Sequence, residues 1–158
     1  MPPMTQLPPL PAKEITLLEV AYGSAHYHAA IALRQHVLRS PLGITYTPEQ
    51  LASDEQDRQF VAMMGEQLVG GVMLHHLNAQ TAKLRQFTVI PSLQGFGIGS
   101  KLVNFFEAQC RESGYAQVEL SARETATNFY RKHGYETEGA RYLQVGLPHV
   151  MMRKNLAE

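Results

Sequence analysis

The chain has 158 residues, 44% of them hydrophobic and 18% charged, and its 14 basic and 14 acidic side chains leave a formal net charge of zero. That is the length of one domain, enough to bury a sizeable core. The charge balance excludes the basic excess of a nucleic-acid or membrane-surface protein, and no run approaches the ~18 apolar residues of a membrane span.

Residues 1–12 hold five of the nine prolines and are expected to form a flexible, extended arm ahead of a single domain at 13–158. They lack the cationic start and apolar stretch of a secretory signal, so the cytoplasm is the expected compartment. The one cysteine, Cys110, cannot build an internal disulfide framework. It lies in an apolar helical pattern, where a thiol behaves as a small hydrophobe.

Ile15–Val20 is an apolar run of strand length. Ser24 can cap a following helix, on which Ala29, Ala30, Leu33 and Val37 recur at helical spacing. Pro41 stops it, because the residue before a proline avoids helical angles. A turn-rich connection follows, and 48–57 reads as a short polar helix. Residues 60–64 and 67–74 flank Gly65-Glu66, a hairpin signal. After a turn at 78–81, residues 84–90 form the third strand of a meander. The glycine-rich stretch 94–99 opens an amphipathic helix with apolar positions Ile98, Leu102, Val103, Phe106 and Cys110, and Gly114 supplies its stop. Residues 117–121 are a strand, 125–133 a short helix closed by Gly134, and 135–138 and 145–154 hold the last strands. Strands that first meander and then alternate with helices predict an α/β domain whose mixed central sheet has about six to seven strands flanked by helices.

The sharpest chemical feature is the passage from Phe87-Thr88-Val89 through Gln94-Gly95-Phe96-Gly97-Ile98-Gly99-Ser100. A strand ends, a glycine-rich loop turns and a helix begins. The first N–H groups of a helix lack internal partners, and its macrodipole adds about half a positive charge there. Glycines let a phosphate approach that backbone closely. Two nucleotide motifs do not fit. The spacing of Gly95, Gly97 and Gly99 is G-x-G-x-G rather than the G-x-G-x-x-G of a dinucleotide fold, and Ser100-Lys101 reverses the Lys-Ser/Thr order of a Walker loop. His75 and His76 are adjacent on a strand and point to opposite faces, so no metal site is expected.

The arrangement resembles the GNAT superfamily of N-acetyltransferases, whose pyrophosphate loop reads Q/R-x-x-G-x-G/A. Gln94, Gly97 and Gly99 stand at its required positions. Asn128-Phe129-Tyr130 followed by Gly134-Tyr135 is similar to that family's second landmark, and the likeness spans roughly residues 13–155. Val37-Leu38-Arg39 with Pro41-Leu42-Gly43, then Leu84-Arg85-Gln86, Ala122-Arg123 and Gly146-Leu147-Pro148-His149 resemble the ElaA-like branch.

The resemblance implies a GNAT fold with strands splayed at the cofactor site, and acetyl transfer from acetyl-CoA as cosubstrate directly to a primary amine. It implies that Phe87, Thr88 and Val89 offer backbone groups to the pantetheine. Gln94, Gly95, Phe96, Gly97, Ile98, Gly99 and Ser100 would surround the pyrophosphate, and Asn128 would bond the pantetheine arm. Tyr130 would lie by the thioester sulfur, as cofactor contact and as general acid. The glutamate base of some members is missing, with Arg85 at that position; a water chain could deprotonate the amine instead, and His149 and Glu124 are the substitute candidates. Arg39, Arg123 and His149 are candidate acceptor-binding residues, whereas Arg141 reads as solvated surface charge. A small-molecule amine is preferred over a protein acceptor, nucleic acid and membrane are not expected as partners, and a homodimer is open. The rival function on the same fold is a non-catalytic acyl-CoA sensor or interaction module.

Overall fold

The computed structural model describes residues 14–157; the proline-rich arm expected at 1–12 lies outside them. Seven strands form one sheet: β1 (Ile15–Val20), β2 (Arg58–Met64), β3 (Gln67–His76), β4 (Thr81–Val89), β5 (Gln117–Arg123), β6 (Glu136–Gln144) and β7 (Leu147–Asn155). Their order is β1-β2-β3-β4-β5-β7-β6. Every neighbouring pair is antiparallel except β4 and β5, which run parallel. The helices are α1 (Ala25–Arg34), α2 (Pro48–Ala52), α3 (Ile98–Glu112) and α4 (Thr127–Lys132). Among the described residues no helix is long and apolar enough to cross a membrane.

Alternate residues of a strand face opposite sides of a sheet, and β2 uses both sides. Phe60 and Ala62 join the main core with Ile98, Leu102, Val103, Phe106 and Cys110 of α3. Val61 and Met63 pack with Ala30 of α1 on the other face. The apolar positions expected on α3 are all buried, and each Leu, Ile, Val or Phe so placed contributes about 1.5–3 kcal/mol. The helix ends as its sequence signals. Gly114 sits at φ +88°, its N–H donates to the Arg111 carbonyl, and the Tyr115 N–H reaches the Cys110 carbonyl. Gly134 and Tyr135 close α4 in the same way, on Arg131 and Tyr130.

Three expectations need correction. The first helix ends at Arg34, followed by a π turn at Gln35–Arg39 and a 3-10 turn at Ser40–Leu42. Its buried stripe is Tyr27, Ala30 and Arg34, whereas Ala29 is exposed and Leu33 and Val37 are half-buried. Arg34 takes a core position because Asp54, equally buried, pairs with it and also accepts from the Tyr27 hydroxyl. Lastly, β6 runs unbroken to Gln144, with a register irregularity between Glu138 and Tyr142. It returns through Val145-Gly146, both at positive φ, the geometry of a tight hairpin turn.

The feature that positions the site is the seam between β4 and β5. Their ladder runs from Thr81↔Gln117 to Leu84↔Leu120 and stops. β4 carries a bulge at this point, with Gln86 at φ +55° and a register shift against β3 between Gly71 and Met73. β5 meanwhile continues along β7 as far as Arg123↔His149. The two strands therefore part, and their facing edges are left open.

Candidate active site

A cleft of about 440 Å³ fills the gap. Leu84 to Phe87 of β4 and Ser121 to Arg123 of β5 line it, together with Tyr130, Gln144, Val145, His149, Leu38, Arg39 and Gln50. The open edge of β4 presents donors. The Ile90 N–H donates to Val69 of β3 at 2.8 Å. Successive N–H groups of a regular strand alternate between its edges, so that of Val89 is directed away from β3, toward the side that β5 has left, and Phe87, next to the bulge, lines the cleft.

Tyr130 stands on α4 with its ring packed against Phe87, Phe129 and Tyr135, at centroid separations of 6.0, 5.2 and 5.8 Å. It is 6% exposed. Its hydroxyl has no hydrogen-bond partner among the described residues, and burial pushes its pKa well above the ordinary tyrosine value. A buried phenol of this kind stays protonated at neutral pH and can donate.

His149 is 5% exposed and lines the same cleft. Its Nδ1 lies 2.8 Å from the Leu147 carbonyl. A carbonyl only accepts, so Nδ1 carries the hydrogen and, in the neutral ring, Nε2 holds the free lone pair. The ring stacks on Tyr142, whose hydroxyl bonds Ser121. Glu124, the other base considered from sequence, does not line the cleft and pairs with exposed Arg141 at 3.4 Å.

Arg39 and Arg123 meet at the π turn. Arg123 donates to the Leu38 carbonyl at 3.0 Å. The Arg39 guanidinium lies 4.3 Å from the centre of the Tyr46 ring, and the Tyr46 hydroxyl donates to Gln86 at the bulge at 2.8 Å. Arg85, where some relatives carry glutamate, donates to Asp57 at 2.8 Å; the Asp57 carboxylate is fully buried and also bonds His75 Nδ1. His76 turns instead to the Tyr115 hydroxyl. Asp57 was invisible to the sequence reading, since it is a lone polar residue in a loop whose partners lie far along the chain.

The glycine-rich loop abuts this cleft. Gln94 donates from its amide to the Val89 carbonyl at 3.2 Å, latching loop to strand. Gly95 and Gly97 have positive φ and open space where a Cβ would stand. Gly99 differs: a Cβ there would sit 3.2 Å from the Phe129 ring and 3.4 Å from Phe87. Lys101 makes the first backbone bond of the helix, to Gly97, which leaves the N–H groups of Ile98, Gly99 and Ser100 without intrahelical acceptors. The Ser100 hydroxyl is bonded to His133 Nε2 at 3.0 Å. Asn128 is exposed at the start of α4 and accepts from Arg131. Phe96 is half exposed beside the loop, Ile98 is buried under it, and Thr88 is buried in β4.

A family model for the acetyltransferase (GNAT) domain matches residues 44–156. The chain belongs to the GNAT acetyltransferase family. A Bacillus subtilis (strain 168) protein of the acetyltransferase class is 26% identical over 129 residues, which cover 80% of this chain and 88% of that protein. Among solved structures, Escherichia coli ElaA superposes with a TM-score of 0.76 at 19% identity, covering 89% of this chain and 99% of its own. An aminoglycoside 6'-N-acetyltransferase complexed with coenzyme A gives 0.75 at 15% identity, with 90% and 98% covered. At these identities the likeness to ElaA is one of fold. The seven-stranded mixed sheet with its parted strands is the GNAT architecture that the loop and the Asn-x-Tyr helix led one to expect.

Proposed function

We propose that this GNAT protein moves the acetyl group of acetyl-CoA directly to a primary amine on a small molecule, in the cytoplasm. The observation that carries the reading is the open β4 edge, where Phe87 and Tyr130 line the cleft together and a glycine-rich helix start packs against the same Phe87.

The residues present fit the cosubstrate. Gly95 and Gly97 leave the loop backbone uncovered, the free N–H groups of Ile98, Gly99 and Ser100 suit a pyrophosphate, and Gln94 braces the loop against Val89. The backbone at Phe87 and the open Val89 N–H suit the amide-rich pantetheine, with Asn128 as a further polar contact. Bound acetyl-CoA would supply a thioester carbonyl open to attack by the amine. The Val89 N–H is then the donor to the negative charge developing on that carbonyl oxygen. His149 Nε2 accepts the proton that the amine must lose. The Tyr130 hydroxyl donates a proton to the departing sulfur.

Calorimetry with acetyl-CoA, paired with a thiol-release assay over a panel of amines, tests this. Binding together with amine-dependent thiol release and an N-acetylated product is expected. Binding without turnover of any amine would make the protein an acyl-CoA sensor, and absence of binding would remove the reading altogether.

A further inference from the structure

The chain as a whole is electrically balanced, but its cleft is not. The charged side chains that line it are Arg39, Lys83, Arg85 and Arg123, and no carboxylate is among the lining residues. The nearby carboxylates are committed elsewhere. Asp57 is buried and held by Arg85 and His75. Glu124 pairs with Arg141 outside the cleft. Glu119, the ladder neighbour of Lys83, pairs with Arg153 at 3.3 Å. Arg39 and Arg123 have no carboxylate partner among the described residues.

We infer that the acceptor is a small amine that carries an anionic oxyacid group, a carboxylate or a phosphonate or phosphate, on the same molecule, held by Arg39 and Arg123. This rests on the acetyl-transfer reading above. The two arginines are already ordered without an anion. Arg123 spends one N–H on the Leu38 carbonyl and keeps the rest of its fork. The Arg39 guanidinium lies over the Tyr46 ring and makes no side-chain hydrogen bond among the described residues, so its donors stay available. Both are fastened at residues 38 and 39 of the π turn, and a planar guanidinium fork matches an oxyacid through two parallel hydrogen bonds. Pre-ordering of this kind lowers the entropy lost on binding.

These cations are not the site of the cosubstrate's pyrophosphate. The glycine-rich loop opens α3, which packs on the Phe60 and Ala62 face of the sheet, whereas the π turn continues α1, which packs on the Val61 and Met63 face. Arg123 and His149 are ladder partners and both line the cleft, which places a zwitterionic acceptor in one orientation: its oxyacid at Arg39 and Arg123, its amine toward His149. A polyamine or aminoglycoside would bring further positive charge into the same cleft and find no carboxylate lining it.

The test compares 2-aminoethylphosphonate and β-alanine with ethanolamine, an amine of similar size that lacks the oxyacid, and with the dication putrescine, in two readouts. In the thiol-release assay, the better oxyacid amine is expected to exceed ethanolamine at least about tenfold in kcat/KM, the scale of one or two charge-assisted hydrogen bonds. Which of the two wins separates phosphonate from carboxylate. Arg39→Gln and Arg123→Gln should each collapse that ratio several-fold through KM while the acetyl-CoA dissociation constant holds. The Arg39 side chain makes no hydrogen bond among the described residues, so its variant is informative even where loss of the Arg123–Leu38 bond unfolds the π turn. In calorimetry with the CoA-loaded protein, 2-aminoethylphosphonate or β-alanine should bind more tightly than ethanolamine, and Arg39→Gln should erase the difference. Oxyacid binding that needs Arg39, without turnover, would uphold the anion site and sink acetyl transfer. Turnover that favours ethanolamine or putrescine, or oxyacid preference unchanged in both variants, would overturn the anion site and leave acetyl transfer standing.

Discussion

Leu84 and Leu120 are the last partners of the parallel ladder between β4 and β5, and the cleft opens where their strands part. Both are buried. Beyond them the bulge at Gln86 turns β4 one way while β7 holds β5 on its own course to Arg123. An open sheet edge normally invites pairing with another chain; here it lies inside a cleft.

The glycines of the loop serve different ends, and substitution should separate them. Gly97 has φ +88° and nothing near its missing Cβ. Gly97→Val places a β-branched residue in a left-handed conformation, at a cost of roughly 1–2 kcal/mol, and puts a side chain where the pyrophosphate must approach. Calorimetry should show acetyl-CoA affinity falling at least tenfold with the protein still folded. Gly99→Val instead pushes into the Phe129 ring, so thermal unfolding should register it as clearly as binding does.

Local signals were legible and distant ones were not. The stripe on α3, its glycine stop, the Gly65-Glu66 hairpin and the loop that opens α3 each depend on residues within a few positions of one another. The cleft depends on contacts such as Tyr46 with Gln86, 40 residues apart, and Arg123 with Leu38, 85 apart. No periodicity encodes those. Arg34 escaped for a related reason: an arginine never counts toward an apolar stripe, and only its burial with Asp54 and Met73 accounts for it. The strand expected at 135–138 fell short of β6, which the structure carries on to Gln144 through an irregularity after Glu138.

The Arg34–Asp54 pair is expected to be critical for folding. Both side chains are almost wholly buried, and Asp54 also holds the Tyr27 hydroxyl. Removing one partner leaves a buried charge uncompensated, which typically costs about 3–5 kcal/mol. Arg34→Met and Asp54→Leu should each lower the urea midpoint sharply. The double variant should recover much of the loss, because Arg34 Nε already lacks a partner and an apolar pair would leave no charge behind. Equal losses in the single and double variants would argue against an ionic role.

Cys110 should be inert in the folded protein. It is fully buried on α3. Burial first, and the nearby Glu107 carboxylate second, push its thiol up to about 12. Only the thiolate is nucleophilic. Labelling with a thiol reagent at neutral pH should therefore follow the unfolding rate, and immediate labelling of native protein would contradict the packing.

His149 is expected to matter for turnover rather than for cosubstrate binding. Its Nδ1 is committed to Leu147, so the lone pair offered to the cleft is on Nε2. His149→Gln removes that base. The loss should appear in kcat, by ~10²–10⁴ where proton removal limits the rate, with acetyl-CoA affinity unchanged. Wild-type kcat in this variant would assign the proton to water.

Tyr130→Phe examines the step at sulfur. The substitution keeps the ring and its contacts with Phe87, Phe129 and Tyr135. It removes a hydroxyl that has no partner among the described residues, so stability and acetyl-CoA affinity should change little. What is lost is the proton donor, and general-acid removal typically lowers the chemical step by ~10²–10⁴, less where a water substitutes. Single-turnover measurement is required, because slow product release would hide the effect in kcat. The sign of the pH dependence follows from burial, which raises the phenol's pKa. The donor form is then fully present from about pH 6 to about pH 9, and the ratio of wild-type to variant rates should stay level across that range instead of falling toward its alkaline end as an ionising phenol would make it. A variant that matches wild type at every pH would make Tyr130 a packing residue and send the search for the proton donor elsewhere.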